Sequence, residues 1–486
     1  MVNGAREDKC PDMSVASESV AAQAYLHLPV AWRGGATLIG VWVAVVCSGQ
    51  PQAQEVQAPD NAGARLAQTE IVKNKPTASS ATAVPQKSAE PAPEGNEAAP
   101  KPDGPAVVTD VRLSVKGTRT VFEMAVSRVV PHQVFTLASP YRVVVDIPDL
   151  EFQIPADQPG AGRDGTGLVQ AFRYGLFAAG RSRIVIDAKG PVRVVRSAIT
   201  PADGDGPTRL ALEMEATSPE AFRSALALTP KAGWSATTTT SPPAEVRPNS
   251  GKFVVMIDPG HGGIDGGAIS GSHVLEKDIV LAVALKLKTA LEQRTHFDVR
   301  MTRSSDTFIS LDQRVALSEA AGADLFISIH ADSVGDAALA NKVHGTTIYT
   351  LSETASNQAA QLLADKENAA DAASGISASG DSDHGQVNSI LADLAKRETQ
   401  NFSMKFRSLL IDRLRPTTML AKDPARSAAF RVLRQVQTPT VLIELGFLSH
   451  VIDAQQMQTT EWQKGIAGAV AAAVDNYVAK RPRGER

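Results

Sequence analysis

Cysteine is nearly absent: the chain of 486 residues holds 2, Cys10 and Cys47. That excludes a disulfide framework or a Cys-rich zinc module, each of which needs several thiols at short spacing. A surplus of positive charge is also missing. Lys and Arg total 49 against 52 Asp and Glu, a formal net charge of −3, and aromatics make up 5% of the chain. A nucleic-acid binder would carry a basic excess or a clustered basic face. Abundance lies elsewhere, in 36 Gly and 29 Pro diluting an otherwise ordinary globular composition of 43% hydrophobic and 21% charged residues. The length allows two or three domains of about 150 residues.

The apolar run ATLIGVWVAVVC (36–47) follows Arg33 and precedes SGQPQAQ. About a dozen residues is the length of a secretory h-region; a membrane span needs ~20. Residues 1–53 therefore read as a leader with a signal peptide, cleaved between Ser48 and Ala53. The stretch from Met1 to Pro29 is long for an n-region and points to a start downstream of Met1. An uncleaved amphipathic anchor and a buried core helix are the alternative readings. A lipid anchor at Cys47 is disfavoured because Val46 is too large for the position before it. Cleavage removes both cysteines and leaves an exported protein unable to form a disulfide.

Residues 54–105, rich in Ala, Pro, Glu, Gln and Ser without an aromatic, cannot bury enough surface to order and read as a disordered tether. A second break, within 219–250, is a linker ending in TTTTSPPAEVRPNS. Between them, residues 106–218 show seven short runs of β-branched residues at period two, starting at Val111, Thr120, Arg142, Leu168, Ser182, Val192 and Thr208. They predict a small all-β antiparallel sandwich, suited to binding because no constellation of His, Asp, Glu and Ser lies in it. Residues 251–479 alternate strands and helices, predicting an α/β domain with an open, mostly parallel sheet and helices on both faces. Ligands of such sheets sit beyond the carboxyl ends of the strands.

At those ends stand His261 in FVVMIDPGHGG, His330 in LFISIHAD and Glu444 in TVLIELGFLSH, with Glu276 opening the helix after the first turn. Two imidazoles, a carboxylate and an open position form the ligand set of a catalytic metal site. Each residue alone has a plainer reading. A strand-end His can be a hydrogen-bonded core residue, Glu276 a carboxylate at a helix N-terminus, and Glu444 half of a buried ion pair; the joint occurrence on one sheet shifts the balance.

The segments IDPGHGG, LEKDIVL, SLDQRV, ISIHAD and PTVLIELGFLSH, in this order, resemble the zinc-dependent N-acetylmuramoyl-L-alanine amidases of the amidase 3 family, which remodel bacterial cell walls. The β-rich segment resembles the AMIN module that precedes such domains in cell-division amidases. The resemblance implies a periplasmic, septal peptidoglycan hydrolase with one Zn²⁺ per catalytic domain, held by His261, Glu276 and His330. It implies Glu444 as the carboxylate that takes a proton from the zinc-activated water and passes it to the leaving amine, splitting lactyl from L-alanine. His450 departs from the Asn common after FLS.

SETASNQAAQLLADKENAADAAS (352–374) reads as an Ala-rich helix opened at Ser352, either a surface helix supplying Leu362 and Leu363 to the core or a regulatory insertion. In regulated members resembling this chain, such a helix places a Glu on the metal until an activator with a coiled coil and a LytM-type domain removes it. Glu353 is the candidate for that blocking ligand. KRPRGER (480–486) reads as a solvated basic tail. Neither a nucleic-acid partner nor a stable membrane span after leader cleavage is expected. The competing readings are a zinc peptidase acting on the stem peptide and an inactive peptidoglycan-binding protein, the latter disfavoured by four intact chemical positions.

Overall fold

The computed structural model describes residues 104–154, 165–202, 206–228, 251–334, 340, 342–376 and 390–480. The leader, the tether up to residue 103 and the basic tail from residue 481 lie outside the described residues, as does the linker beyond its first ten residues. No helix among the described residues is long and apolar enough to cross a membrane.

The first segment is a β-sandwich. One sheet has the order β5-β1-β2-β9-β8, from Leu150–Phe152, Ala106–Lys116, Arg119–Val126, Thr208–Ala216 and Val192–Thr200. The other has the order β3-β4-β7-β6, from Gln133–Leu137, Arg142–Pro148, Arg181–Ala188 and Val169–Ala178. Its antiparallel register pairs Val144 with Val185 and Asp146 with Arg183. Period-two alternation then sorts the side chains. Val143, Val145, Ile147, Ile184 and Ile186 join Phe122, Phe172 and Leu212 in the core between the sheets. Arg142, Val144, Asp146, Arg183, Val185 and Asp187 alternate with them and share the outer face. β3 and β5 add to the seven expected strands; β5 is three residues long and β3 is half-buried throughout, so neither shows the alternation that marks a strand. Residues 219–228, expected within the linker, instead form helix α1, Pro219–Leu228, whose buried Phe222 meets Tyr141 edge-on at 4.9 Å.

The second segment is a six-stranded sheet, β11-β10-β12-β15-β13-β14, from Phe297–Met301, Phe253–Pro259, Leu325–His330, Thr440–Glu444, Thr346–Leu351 and Leu420–Ala428. All its pairings are parallel except β13 with β15. Helices α2 (Glu276–Glu292), α6 (Ile390–Leu414) and α8 (Thr460–Ala479) supply one apolar layer with Val255, Ile257, Ile327, Val441 and Ile443. The alternate residues Val254, Met256, Phe326 and Leu442 turn to the other face, against Ala360, Leu363 and Ala364 of helix α4, Gln358–Asn368. Strands covered on both faces read as near-continuous apolar runs, as these do. Helix α3, Leu311–Ala320, opens with a complete capping box from Ser310 and Gln313. After α4 comes the short α5, Ala370–Ala373, and helix α7, Val451–Met457, follows β15.

The insertion helix starts later than its sequence suggests. Asn357, not Ser352, caps it: the Asn357 side chain accepts from Ala360 N at 2.9 Å, whereas Ser352 Oγ is engaged with Thr354. Leu363 is buried as expected, but Leu362 is 63% exposed.

Candidate metal centre

The glycine-rich turn after β10 puts His261 at φ +56°, a left-handed conformation costly for a residue with a Cβ. Two glycines make the room this turn needs. A Cβ on Gly260 would lie 2.4 Å from the His330 ring, and one on Gly267 would lie 2.7 Å from both His261 and Glu276. A buried scaffold holds the turn from below. Arg314 donates to Asp258 Oδ1 at 2.6 Å, Pro259 O at 2.7 Å and His261 O at 2.8 Å. Arg303 donates to Pro259 O and Gly260 O, and Thr302 and Ser328 complete the shell of Asp258. Burial opposes ionisation of Asp258, yet Arg314 and these hydroxyls hold its pKa below the ordinary carboxylate value.

Adjacent parallel strands bring His330 and Glu444 side by side in register. Glu276, fully buried in the first turn of α2, does not cap its own helix. Its Oε2 accepts from Ala268 N at 2.8 Å and its Oε1 from Ala331 N at 2.7 Å, which aims the carboxylate at the two imidazoles. Thus His261, Glu276, His330 and Glu444 converge, whereas Glu353 stays away: its side chain is 86% exposed and paired with Lys396. Glu353 is therefore not at this centre. The carboxylate that α4 delivers is Glu367.

Four atoms enclose a common point. His261 Nε2 lies 3.2 Å from Glu276 Oε1 and 3.4 Å from Glu367 Oε2; His330 Nδ1 lies 3.2 and 3.3 Å from the same two oxygens. Neither nitrogen has a hydrogen-bond partner although both are buried. A tetrahedral ion with ligands at ~2.0–2.1 Å requires ligand–ligand edges of about 3.3–3.4 Å. The residues present thus fit a four-coordinate metal, with neutral imidazoles and carboxylates as donors. Asp265 Oδ2 meets His261 Nδ1 at 2.8 Å, the outer-shell contact that fixes tautomer and ring orientation of a ligating His.

The electrostatics agree. Burial disfavours a charged His261, but Asp265, Glu276 and Glu367 outweigh it and raise its pKa well above the ordinary value. A proton there stands in for the positive charge that the carboxylates require. Glu444 behaves oppositely: burial, then the charges of Asp332, Glu276 and Glu367, push its carboxyl well up. Its Oε2 accepts from Asp332 N at 3.1 Å, and its buried Oε1 has no partner. Burial also raises Glu367. Lys366 beside it pairs with Asp332, anchoring α4 at the mouth of the centre.

His450 takes over a helix-capping task for which Asn is a preferred residue: its Nδ1 accepts from Asp453 N at 3.4 Å, opening α7. Glu367, Asp265 and Lys366 escaped the sequence reading. For Glu367 a signal exists, because the buried stripe Ala360, Leu363, Ala364 continues at helical spacing onto it. A glutamate inside an apolar stripe asks for a partner.

Comparison with known proteins gives consistent matches. Residues 255–476 match the family described as Amidase_3, N-acetylmuramoyl-L-alanine amidase, and residues 110–225 match the AMIN domain. The chain is 31% identical to N-acetylmuramoyl-L-alanine amidase AmiC of Escherichia coli over 76% of its length and 89% of that protein's. It is 32% identical to AmiC of Neisseria meningitidis with the same coverage, and 37% identical to AmiA of Escherichia coli over 48% of this chain and 78% of that one. Among solved structures, the catalytic domain of CwlV from Bacillus (Paenibacillus) polymyxa is 27% identical, with a TM-score of 0.33 covering 47% of this chain and 99% of that one. The chain belongs to the N-acetylmuramoyl-L-alanine amidases, with an AMIN domain ahead of its amidase domain.

Proposed function

We propose that this chain is an exported zinc hydrolase of peptidoglycan that cleaves the amide between the lactyl group of N-acetylmuramic acid and the L-alanine of the stem peptide. The carrying observation is the set of 3.2–3.4 Å edges around one point, beside a buried carboxylate with a free oxygen. His261, Glu276 and His330 hold the metal, and Glu367 occupies the position that substrate needs. Zinc bound there would supply a Lewis acid that polarises the amide carbonyl and makes water acidic. Glu444, buried beside the centre with one carboxylate oxygen free of partners, accepts the proton of the attacking water and returns it to the departing L-alanine amine. Asp265 orients His261 throughout.

With Glu367 in place, the centre is closed at rest. Opening requires α4 to withdraw, a task for an activator protein with a LytM-type domain and coiled coil, acting in the periplasm at the division septum. The β-sandwich holds the enzyme on peptidoglycan there. The test is mass spectrometry of products released from purified sacculi, with and without chelator. Free stem peptides beginning at L-alanine, lost on chelation and regained with zinc, are expected. New amino termini inside the stem would instead identify a stem-peptide peptidase, and no product from an opened enzyme would leave only binding.

A further inference from the structure

The outer face of the four-stranded sheet is not idle surface. Arg183, itself buried, is held by a two-point pair with Asp146 at 2.6 and 2.9 Å. Its remaining nitrogen, Nη1, donates to Ser374 O at 3.3 Å and Gly375 O at 3.0 Å. Arg173, braced by Asp187 at 2.7 Å, donates to Ala373 O at 2.8 Å. Those three carbonyls close α5, the turn directly after the helix that carries Glu367. A carbonyl at a helix end lacks an intrahelical donor, and a charged guanidinium is the strongest partner a side chain can offer it.

The grip continues apolar and reaches the metal turn. Val144 and Val185 of the sandwich pack with Ile264 and Phe308 of the amidase domain, joined by Ile376. Phe177 stacks on Phe308 at 5.5 Å, with the Arg183 guanidinium 3.4 Å above its ring. Ile264 N donates to Leu176 O at 3.1 Å, three residues past His261. One face of the sandwich thus holds both the end of the blocking segment and the turn it blocks.

We propose that this sheet face is a latch: a docking surface of the sandwich for residues 373–376, which keeps α4 seated and Glu367 in the centre. The proposal rests on the resting closure described above. Release of the helix then requires the sandwich grip to yield along with the Glu367 contact and the Lys366–Asp332 pair, so that displacement of the sandwich and opening of the site are coupled.

The full-length chain tests this with two variants from opposite sides of the contact. Arg173→Ala/Phe177→Ala weakens the grip from the sandwich while leaving the buried Arg183–Asp146 pair in place. Gly375→Val wedges it from the amidase domain, because a Cβ there, at φ +75°, meets Val144 and Val185 at 3.3 Å. Hydrogen exchange of amides 360–373 should accelerate about fivefold or more in both, since one loses the Arg173 hydrogen bond and the Phe177–Phe308 stack and the other pushes Val144 and Val185 away from the segment. Basal hydrolysis of sacculi should rise by a similar factor, and not rise again when either change is added to Glu367→Ala. Unchanged exchange in a variant that retains the parent melting midpoint overturns the latch; if the sandwich variant fails to fold, the Gly375 variant decides. Failure of Glu367→Ala itself to raise hydrolysis defeats the closure instead, and the exchange measurement still reports on the latch.

Discussion

Glu367 Oε2 stands 3.4 Å from His261 Nε2, close enough for both to bind one ion and too close for a substrate carbonyl to come between. On the function proposed above, the chain thereby closes its own site with a residue from an inserted helix.

Removing that carboxylate should open the site. Glu367→Ala is expected to raise basal hydrolysis of sacculi tenfold or more without an activator, since about 1.4 kcal/mol of lost competition already corresponds to tenfold. Glu353→Ala, which removes an exposed pair with Lys396, should leave the rate where it was. Equal rates in the Glu367 variant and the parent, at equal metal content, would refute the closure.

The strand-end residues were legible because a buried polar group at the end of an apolar strand is a local anomaly, visible in IDPGH, ISIH and LIELG without any three-dimensional information. The blocking glutamate needed the buried face of the helix, which Ala360, Leu363 and Ala364 mark and the exposed Leu362 does not. β14 was invisible for another reason. LAKDPARSA carries a proline and three charges, which suit an edge strand and resemble a loop. The Asp258–Arg314 scaffold joins residues far apart in sequence, so nothing in either local segment announces it.

Metal binding and proton transfer should separate by mutation. Glu444→Gln keeps size and removes the basic oxygen, so it should retain one zinc per chain by elemental analysis and lose about 10²–10⁴-fold in turnover. His261→Ala should lose the metal. A Glu444→Gln protein that still turns over at the parent rate contradicts the role given to this carboxylate.

Asp265 touches His261, so on the function proposed above it would act on the metal only through that imidazole. Asp265→Ala should weaken zinc affinity about 10–100-fold, measured by competition with a chromophoric chelator, while a saturating supply of zinc restores much of the hydrolysis. Unaltered affinity would reduce the contact to simple packing.

Arg314 has a different kind of consequence, because its loss strands Asp258 as an unpaired buried charge beneath the metal turn. Arg314→Met should cost about 3–5 kcal/mol of stability at neutral pH in urea unfolding. The pH dependence follows from the depressed pKa of Asp258. A carboxyl that is more acidic folded than unfolded contributes stability above its unfolded value, about 3.9, and loses it as the pH falls through the folded value. Wild type should therefore lose part of its stability on acidification below about pH 4. In Arg314→Met the sign reverses: burial without a cation raises the folded pKa, so acidification toward pH 4 should recover part of the loss. Parallel stability–pH curves for the two proteins would show that Arg314 does not hold the Asp258 charge.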